Sequence, residues 1–266
     1  MSDATARAEM PKGSQSILDR RTVVTANANL LQLVKRGDRV LDVGCGSGAI
    51  TKDIASLVGA DGLVMGIDTS EHLIAQAQQK YTDVPNLLFA VADVNQFRPT
   101  ELFDIATSAR VLQWLSGPQQ VVHKLISFLK PGGCLTILDY NHTKVEFSPG
   151  IPSSMLELYE AFLTWRADAG MDNKIADHLD SMFDGAGLTQ VSSSDYSEVS
   201  VRGQPSFYDD INIWAIVAEV RGPQLVVDGY ISEELRQQAI SDYRQWMGAD
   251  AQYMKLYLRA VTGYRV

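Results

Sequence analysis

Only two cysteines, Cys45 and Cys134, occur in 266 residues, too few for a disulfide framework, and no CxxC or Cys/His spacing offers a metal site. No run of about 18 apolar residues is present that would span a bilayer. The first twenty residues, MSDATARAEMPKGSQSILDR, lack the apolar stretch of a secretion signal. Basic runs are missing as well, and the net charge is −9. Nucleic-acid affinity rests largely on Lys and Arg neutralising phosphates, so an acidic chain disfavours that partner. Together these absences lead us to expect a cytoplasmic protein with reduced thiols, no metal, no membrane span and no nucleic-acid partner.

What is present is alternation. Residues 1–14 are small and polar and are expected to be mobile. Residues 16–35 place Ile17, Leu18, Val23, Val24, Leu30, Leu31 and Val34 at helical spacing. Then come short apolar runs ending in polar residues: RVLDVG, LVMGID, LLFAVAD, FDIATSA and CLTILDY. Helical stripes separate them. Ile50, Ile54, Leu57 and Val58 form one stripe, stopped by Gly59. Leu73, Ile74, Ala77 and Tyr81 form another, with Thr69 or Ser70 as its cap. Pro118 opens a third. Strands alternating with helices predict a mostly parallel sheet with helices on both faces, whose ligands bind beyond the carboxyl ends of the strands. Asp42, Asp68, Asp93, Ser108 and Asp139 all stand at or just past such ends.

After residue 145 the pattern turns helical, with aromatic residues Tyr159, Phe162, Trp165, Phe207, Tyr208, Trp214 and Trp246. TQVSSSDYSEVSV alternates like one strand, and YMKLYLRAVTGYRV reads as a final strand closing the sheet. No linker marks a second domain. We expect an N-terminal helical segment (1–36) covering the site and a main domain (37–266) carrying helical cap insertions at about 146–185 and 203–248.

The ligand is read from VLDVGCGSGAITKDIASLVG, residues 40–59. Its glycines permit close backbone approach. They fit Gly44-x-Gly46-x-Gly48, and also the dinucleotide fingerprint Gly44-x-Gly46-x-x-Ala49. Asp42 bears on the choice. A carboxylate beside a pyrophosphate is repelled by like charge, whereas S-adenosylmethionine brings an ammonium and a sulfonium and no phosphate. Asp68 suits the vicinal hydroxyls of a ribose in either ligand. Asp93 suits an adenine amine, with the Val94 N–H directed at the ring.

The motifs VLDVGCGSG, VMGIDTS, VAD, FDIATSARVLQWL and LKPGG, over about residues 35–142, resemble the class I S-adenosylmethionine-dependent methyltransferases, most closely the small-molecule branch that includes ubiquinone/menaquinone C-methyltransferases. The resemblance implies an α/β, Rossmann-like seven-stranded sheet whose last strand is antiparallel, with a helical cap. It implies S-adenosyl-L-methionine held by Asp42, Gly44, Cys45, Gly46 and Gly48 at the methionine end, Asp68 and Thr69 at the ribose, and Asp93 and Val94 at the adenine. Ala109, within the stretch Ser108 to Gln113, would line the reaction side. TSARVL stands where base-modifying enzymes carry Asn-Pro-Pro-Tyr, which argues against nucleic-acid bases as acceptors.

Methyl transfer from a sulfonium is a direct displacement, helped chiefly by alignment in a dry site. For an acidic acceptor a general base adds to this. His142, in DYNHT, is the candidate, on an ordinary pKa near 6.5; Tyr140 and Asp139 are weaker ones, and Arg110 is a candidate partner for an acidic acceptor. The expected function is methyl transfer to a small molecule at O, N or C. The alternatives are an NAD-dependent oxidoreductase and a non-catalytic cofactor-binding protein.

Overall fold

The computed structural model describes Arg7 and residues 19–266. The polar stretch 1–14 apart from Arg7, and the start of the segment 16–35, lie outside the described residues. What is described of that segment is two single-turn helices, Val23–Ala26 and Leu30–Leu33, rather than one long helix. The break has a local cause. Thr22 and Thr25 cap the first turn reciprocally, and Asn27 ends it in a non-helical conformation.

Five parallel strands follow: β1 (Arg39–Val43), β2 (Leu63–Asp68), β3 (Leu87–Val91), β4 (Phe103–Ala109) and β5 (Leu129–Tyr140). Short antiparallel β6 (Glu146–Ser148) comes next, then β7 (Thr189–Asp195), β8 (Glu198–Val201), β9 (Tyr253–Leu256) and β10 (Leu258–Tyr264). The main sheet has the order β3-β2-β1-β4-β5-β10-β7, with β10 antiparallel to both neighbours. The strand order reverses between β1 and β4, the place where ligands of such sheets bind. The turns carry the chemistry expected of them. Gly59 ends the helix Ala49–Val58 at φ +69°, and Ser70 caps Glu71–Lys80 by accepting from the Leu73 N–H.

Two expectations need correction. TQVSSSDYSEVSV is not one strand: it divides into β7 on the main sheet and β8 on a second, three-stranded sheet of order β6-β9-β8. YMKLYLRAVTGYRV divides likewise, β9 joining the small sheet and β10 the large one. Each segment bends where it changes partners, and side-chain alternation carries no record of which sheet a strand serves.

The expected insertion at about 146–185 is also too long. The helix Ser153–Asp168 belongs to the cap, where Leu158, Phe162 and Trp165 pack with Trp214, Tyr243 and Trp246 from the helices Ile213–Val220 and Glu233–Ala249. The helix Ile175–Gly185 instead lies on the main sheet, with Ile175, Leu179 and Phe183 among Leu135, Ile137 and Val261.

Candidate active site

The glycine turn leaves β1 and enters the helix Ala49–Val58 through three left-handed residues, Gly44 (φ +74°), Gly46 (φ +54°) and Gly48 (φ +75°). At two of them the neighbours also require glycine. A Cβ on Gly44 would lie 2.2 Å from Val111 Cγ2, and one on Gly48 would lie 2.5 Å from Phe89 Cζ. The turn is therefore packed from below by β3 and from the side by the segment after β4. Its amides are largely committed inside the protein. Gly44 and Cys45 donate to Ile67 O (2.8 and 3.1 Å), Gly46 to Asp68 Oδ2 (2.9 Å) and Gly48 to Cys45 O (3.0 Å). A pyrophosphate would need those amides free.

Asp42 is buried, 5% exposed, and its Oδ2 accepts from Thr51 Oγ1 at 2.7 Å. Burial pushes its carboxyl up to about 6; the Thr51 hydroxyl opposes that rise and the charge of Asp68 adds to it. A desolvated carboxylate with one hydrogen bond is unfavourable until a cation approaches. The ammonium of S-adenosylmethionine supplies one, so the residues present fit that group better than a phosphate. Asp68 closes the turn from β2, its Oδ2 on Gly46 N and its Oδ1 on Ser70 N, both at 2.9 Å. Each oxygen keeps a second lone pair for a ribose hydroxyl. Thr69 and Asp93 share the wall of an open cleft with Ala92, Gln96 and Phe97. Asp93 Oδ1 accepts from Asn95 N and Nδ2, and the Val94 side chain is buried, leaving its backbone for contact. Cys45 is a packing residue: burial, then the charges of Asp42 and Asp68, push its thiol well above the ordinary range.

The reaction side departs further from expectation. Ser108 is buried and bonds back to Val43 O at 3.0 Å, tying β4 to β1, so its hydroxyl is turned from any ligand. Ala109 ends β4, and the next residue, Arg110, has a positive φ of +62°. Arg110 is not free for an acidic acceptor. Its Nε donates to Tyr140 Oη (2.9 Å), its Nη1 to Ala26 O (2.7 Å), and its Nη2 pairs with Glu198. One guanidinium thus joins the N-terminal segment, β5 and β8. Asp139 accepts from the backbone of Gln113 and Tyr140 and is pushed up to about 6 by burial, which makes it a positioning group for the segment after β4.

His142 follows the end of β5 and is buried. Its Nε2 meets Gln113 Oε1 at 2.5 Å, and its Nδ1 has no partner among the described residues. Burial, then the Arg166 charge, holds its pKa well below the ordinary value. The expectation of an unperturbed imidazole is overturned: the ring is a neutral, weak base with one nitrogen open. Sequence reasoning missed Thr51; Gln113 it had placed only as the end of the reaction-side stretch Ser108 to Gln113, and Trp214 only among the aromatic residues of the helical additions. Thr51 carries a signal, a hydroxyl in the first turn of the helix after the glycines. The contact of Trp214 with His142 carries no sequence signal, since it is made from 72 residues away, with ring centroids 6.3 Å apart.

Residues 34–186, more than half the chain, match the family described as a methyltransferase domain. Fold and site edge thus define a Rossmann-like methyltransferase, and the chain belongs to that family. Among curated relatives, the malonyl-[acyl-carrier protein] O-methyltransferase of Bacillus cereus is 32% identical over 39% of this chain and 38% of its own length. The ubiquinone/menaquinone biosynthesis C-methyltransferase of Pseudomonas fluorescens is 32% identical over 48% of this chain and 49% of its own. The chain therefore spans less than half the length of these relatives. Among solved structures, phosphoethanolamine N-methyltransferase 2 of Haemonchus contortus, in complex with phosphomonomethylethanolamine and S-adenosylhomocysteine, superposes with a TM-score of 0.57 at 18% identity, over 90% of this chain and 52% of that one. At that identity the likeness is one of fold. Among the described residues no helix is long and apolar enough to cross a membrane, and no cluster of potential metal ligands occurs.

Proposed function

We propose that this chain transfers a methyl group from S-adenosyl-L-methionine to a small-molecule acceptor by direct displacement, in the cytoplasm. The observation that carries the reading is the edge built by Asp42, Asp68 and Asp93 around a glycine turn whose amides are already committed. It suits a cationic nucleoside and not a dinucleotide. When bound, the cofactor supplies a methyl on a cationic sulfur. Asp42 holds the ammonium end, Asp68 and Thr69 the ribose, Asp93 and Val94 the adenine, with Gly44, Cys45, Gly46, Gly48 and Ala109 forming the wall. His142 borders the acceptor side. The described part of the N-terminal segment, residues 19–36, covers the site, a reading supported by the Arg110 bond to Ala26 O. The cap aromatics exclude water, which favours displacement at a charged centre.

Isothermal titration with S-adenosylhomocysteine and with NADH tests the proposal. The homocysteine nucleoside is expected to bind and NADH not to, and Asp68→Ala is expected to weaken binding at least about tenfold, the loss of one to two hydrogen bonds to a charged group. Binding of NADH alone, or an unchanged Asp68→Ala, sinks the reading.

A further inference from the structure

Arg21 is a cation without a counter-charge of its own. It precedes the turn capped by Thr22 and is partly exposed. The chain around it is held on both sides. Arg20 Nη1 pairs with Asp209 Oδ2 at 3.0 Å, on the cap helix Phe207–Ile211. Val23 N donates to Asp53 Oδ2 at 2.9 Å, on the helix after the glycine turn, and Ala26 O accepts from Arg110 Nη1 at 2.7 Å. The Arg21 guanidinium makes no hydrogen bond or ion pair among the described residues, yet the charges of Arg110, Tyr140 and Glu198 act on it. Glu198 is the one carboxylate of these, and Arg110 already holds it. Two guanidinium groups therefore share a single carboxylate. Burial, then the Arg110 charge, holds the Arg21 pKa below its ordinary value. A desolvated cation beside a like charge is unfavourable until an anion arrives.

We infer that Arg21 recognises a carboxylate carried by the methyl acceptor, so that the acceptor is an organic acid. This rests on the methyl-transfer reading above. Location carries the assignment. Arg110 follows Ala109 at the end of β4, while Tyr140 ends β5 and stacks on His142 at 5.3 Å. Ligands of open α/β sheets bind beyond such ends. The ends of β1, β2 and β3 present Asp42, Asp68 and Asp93 to the cofactor, which leaves the ends of β4 and β5 to the acceptor. The cofactor has a carboxylate of its own, next to the ammonium assigned to Asp42. The charge acting on Asp42 is that of Asp68, whereas those acting on Arg21 are Arg110, Tyr140 and Glu198. The ammonium site and the Arg21 guanidinium thus belong to different parts of the cleft. Access is open, since the Glu198 side chain is 36% exposed and Arg21 itself reaches solvent. A guanidinium offers a carboxylate two parallel N–H groups and a full charge, of which a neutral amide of the same shape uses only the first. The carboxylate orients the acceptor; it does not select the atom that receives the methyl.

Nuclear magnetic resonance of the full chain, ¹⁵N-labelled at arginine and saturated with S-adenosylhomocysteine, tests this with acetate and acetamide at constant ionic strength. The side-chain Nε signal that disappears in Arg21→Lys identifies the reporter. Acetate is expected to move that signal saturably and to bind at least about tenfold more tightly than acetamide, as a hydrogen bond between charged groups requires. Read from the probe methyl resonances, this preference is expected to fall below about threefold in Arg21→Gln and to survive in part in Arg21→Lys, which keeps the charge without the fork. Acetate binding no tighter than acetamide, an unmoved Arg21 signal, or a preference that persists in Arg21→Gln overturns the inference. Calorimetry separates the two carboxylates. Arg21→Gln is expected to bind S-adenosylhomocysteine within about threefold of the wild type, and a greater loss places the cofactor's own carboxylate on Arg21 and overturns the inference. Without probe, the melting temperature of Arg21→Gln is expected to be unchanged or higher, because an unpaired cation is removed; a fall of more than about 5 °C marks a structural arginine and overturns it as well. Failure of the wild type to bind S-adenosylhomocysteine at all sinks the methyl-transfer reading instead.

Discussion

Asp42 is where burial and ligand demand meet in a single residue. Its carboxyl, at about 6, lies above the ordinary carboxylate value. Between those two pH values the folded state holds the proton that the unfolded state has lost. Apo stability attributable to Asp42 therefore falls as pH rises through that window, and the cost, about 2–3 kcal/mol at most, is present in full above pH 6. A cation on Asp42 needs the ionised form. Affinity for S-adenosylmethionine is thus expected to drop as pH falls below about 6, by up to tenfold per unit, as calorimetry at pH 5 and 7 will read. Asp139, also pushed up to about 6, shifts apo stability in the same direction, so Asp42→Asn isolates the local effect. That variant is expected to raise the apo melting temperature at pH 8 while weakening cofactor binding. Gly44 is set by packing as much as by ligand. Gly44→Ala adds a side chain at positive φ, against Val111, and is expected to cost about 2–4 kcal/mol in denaturant titration, before any ligand is present.

At the level of elements, Arg110 connects pieces that are far apart in sequence: Ala26 before β1, Tyr140 at the end of β5, and Glu198 on β8. Removing a buried guanidinium strands its carboxylate and phenol partners. Arg110→Ala is expected to lower hydrogen-exchange protection over residues 22–30 and in β8 ahead of the main sheet, with a loss near 3 kcal/mol tempered by the partial exposure of Glu198. The parallel strands were legible because each is an apolar run with Asp or Ser at or near its end, and β1, β2 and β4 lead into helices whose signals Gly59, Ser70 and Pro118 act as expected. The small β6-β9-β8 sheet was not legible. Its strands are three or four residues long and pair across more than 50 positions, so no local period marks them. The same limit explains the site. Asp42, Asp68 and Asp93 stand out at strand ends, whereas the state of His142 depends on Gln113, Arg166 and Trp214, which only the folded chain assembles.

For the whole molecule, a ligand that bridges the turn after β1 and the ends of β2 and β3 stabilises the folded state by mass action. Saturation with S-adenosylhomocysteine at about 100 times its dissociation constant adds about 2.7 kcal/mol. For a chain of this size that is expected to raise the melting temperature by roughly 5–10 °C in calorimetry. No shift at that ligand excess would count against binding at the edge described. The position of β10 has a separate consequence for assembly. It is synthesised after β7, yet it lies between β5 and β7. While the ribosome is still making the cap helices, β5 has an open hydrogen-bonding edge and β7 has no place to dock. The sheet cannot grow outward in the order of translation; β10 has to insert between strands already made. Pairing between the exposed β5 edges of two nascent chains competes with that insertion. Slow translation through the cap lengthens this competition, so the yield of native protein is set by how soon seven residues, Leu258–Tyr264, reach the gap left for them.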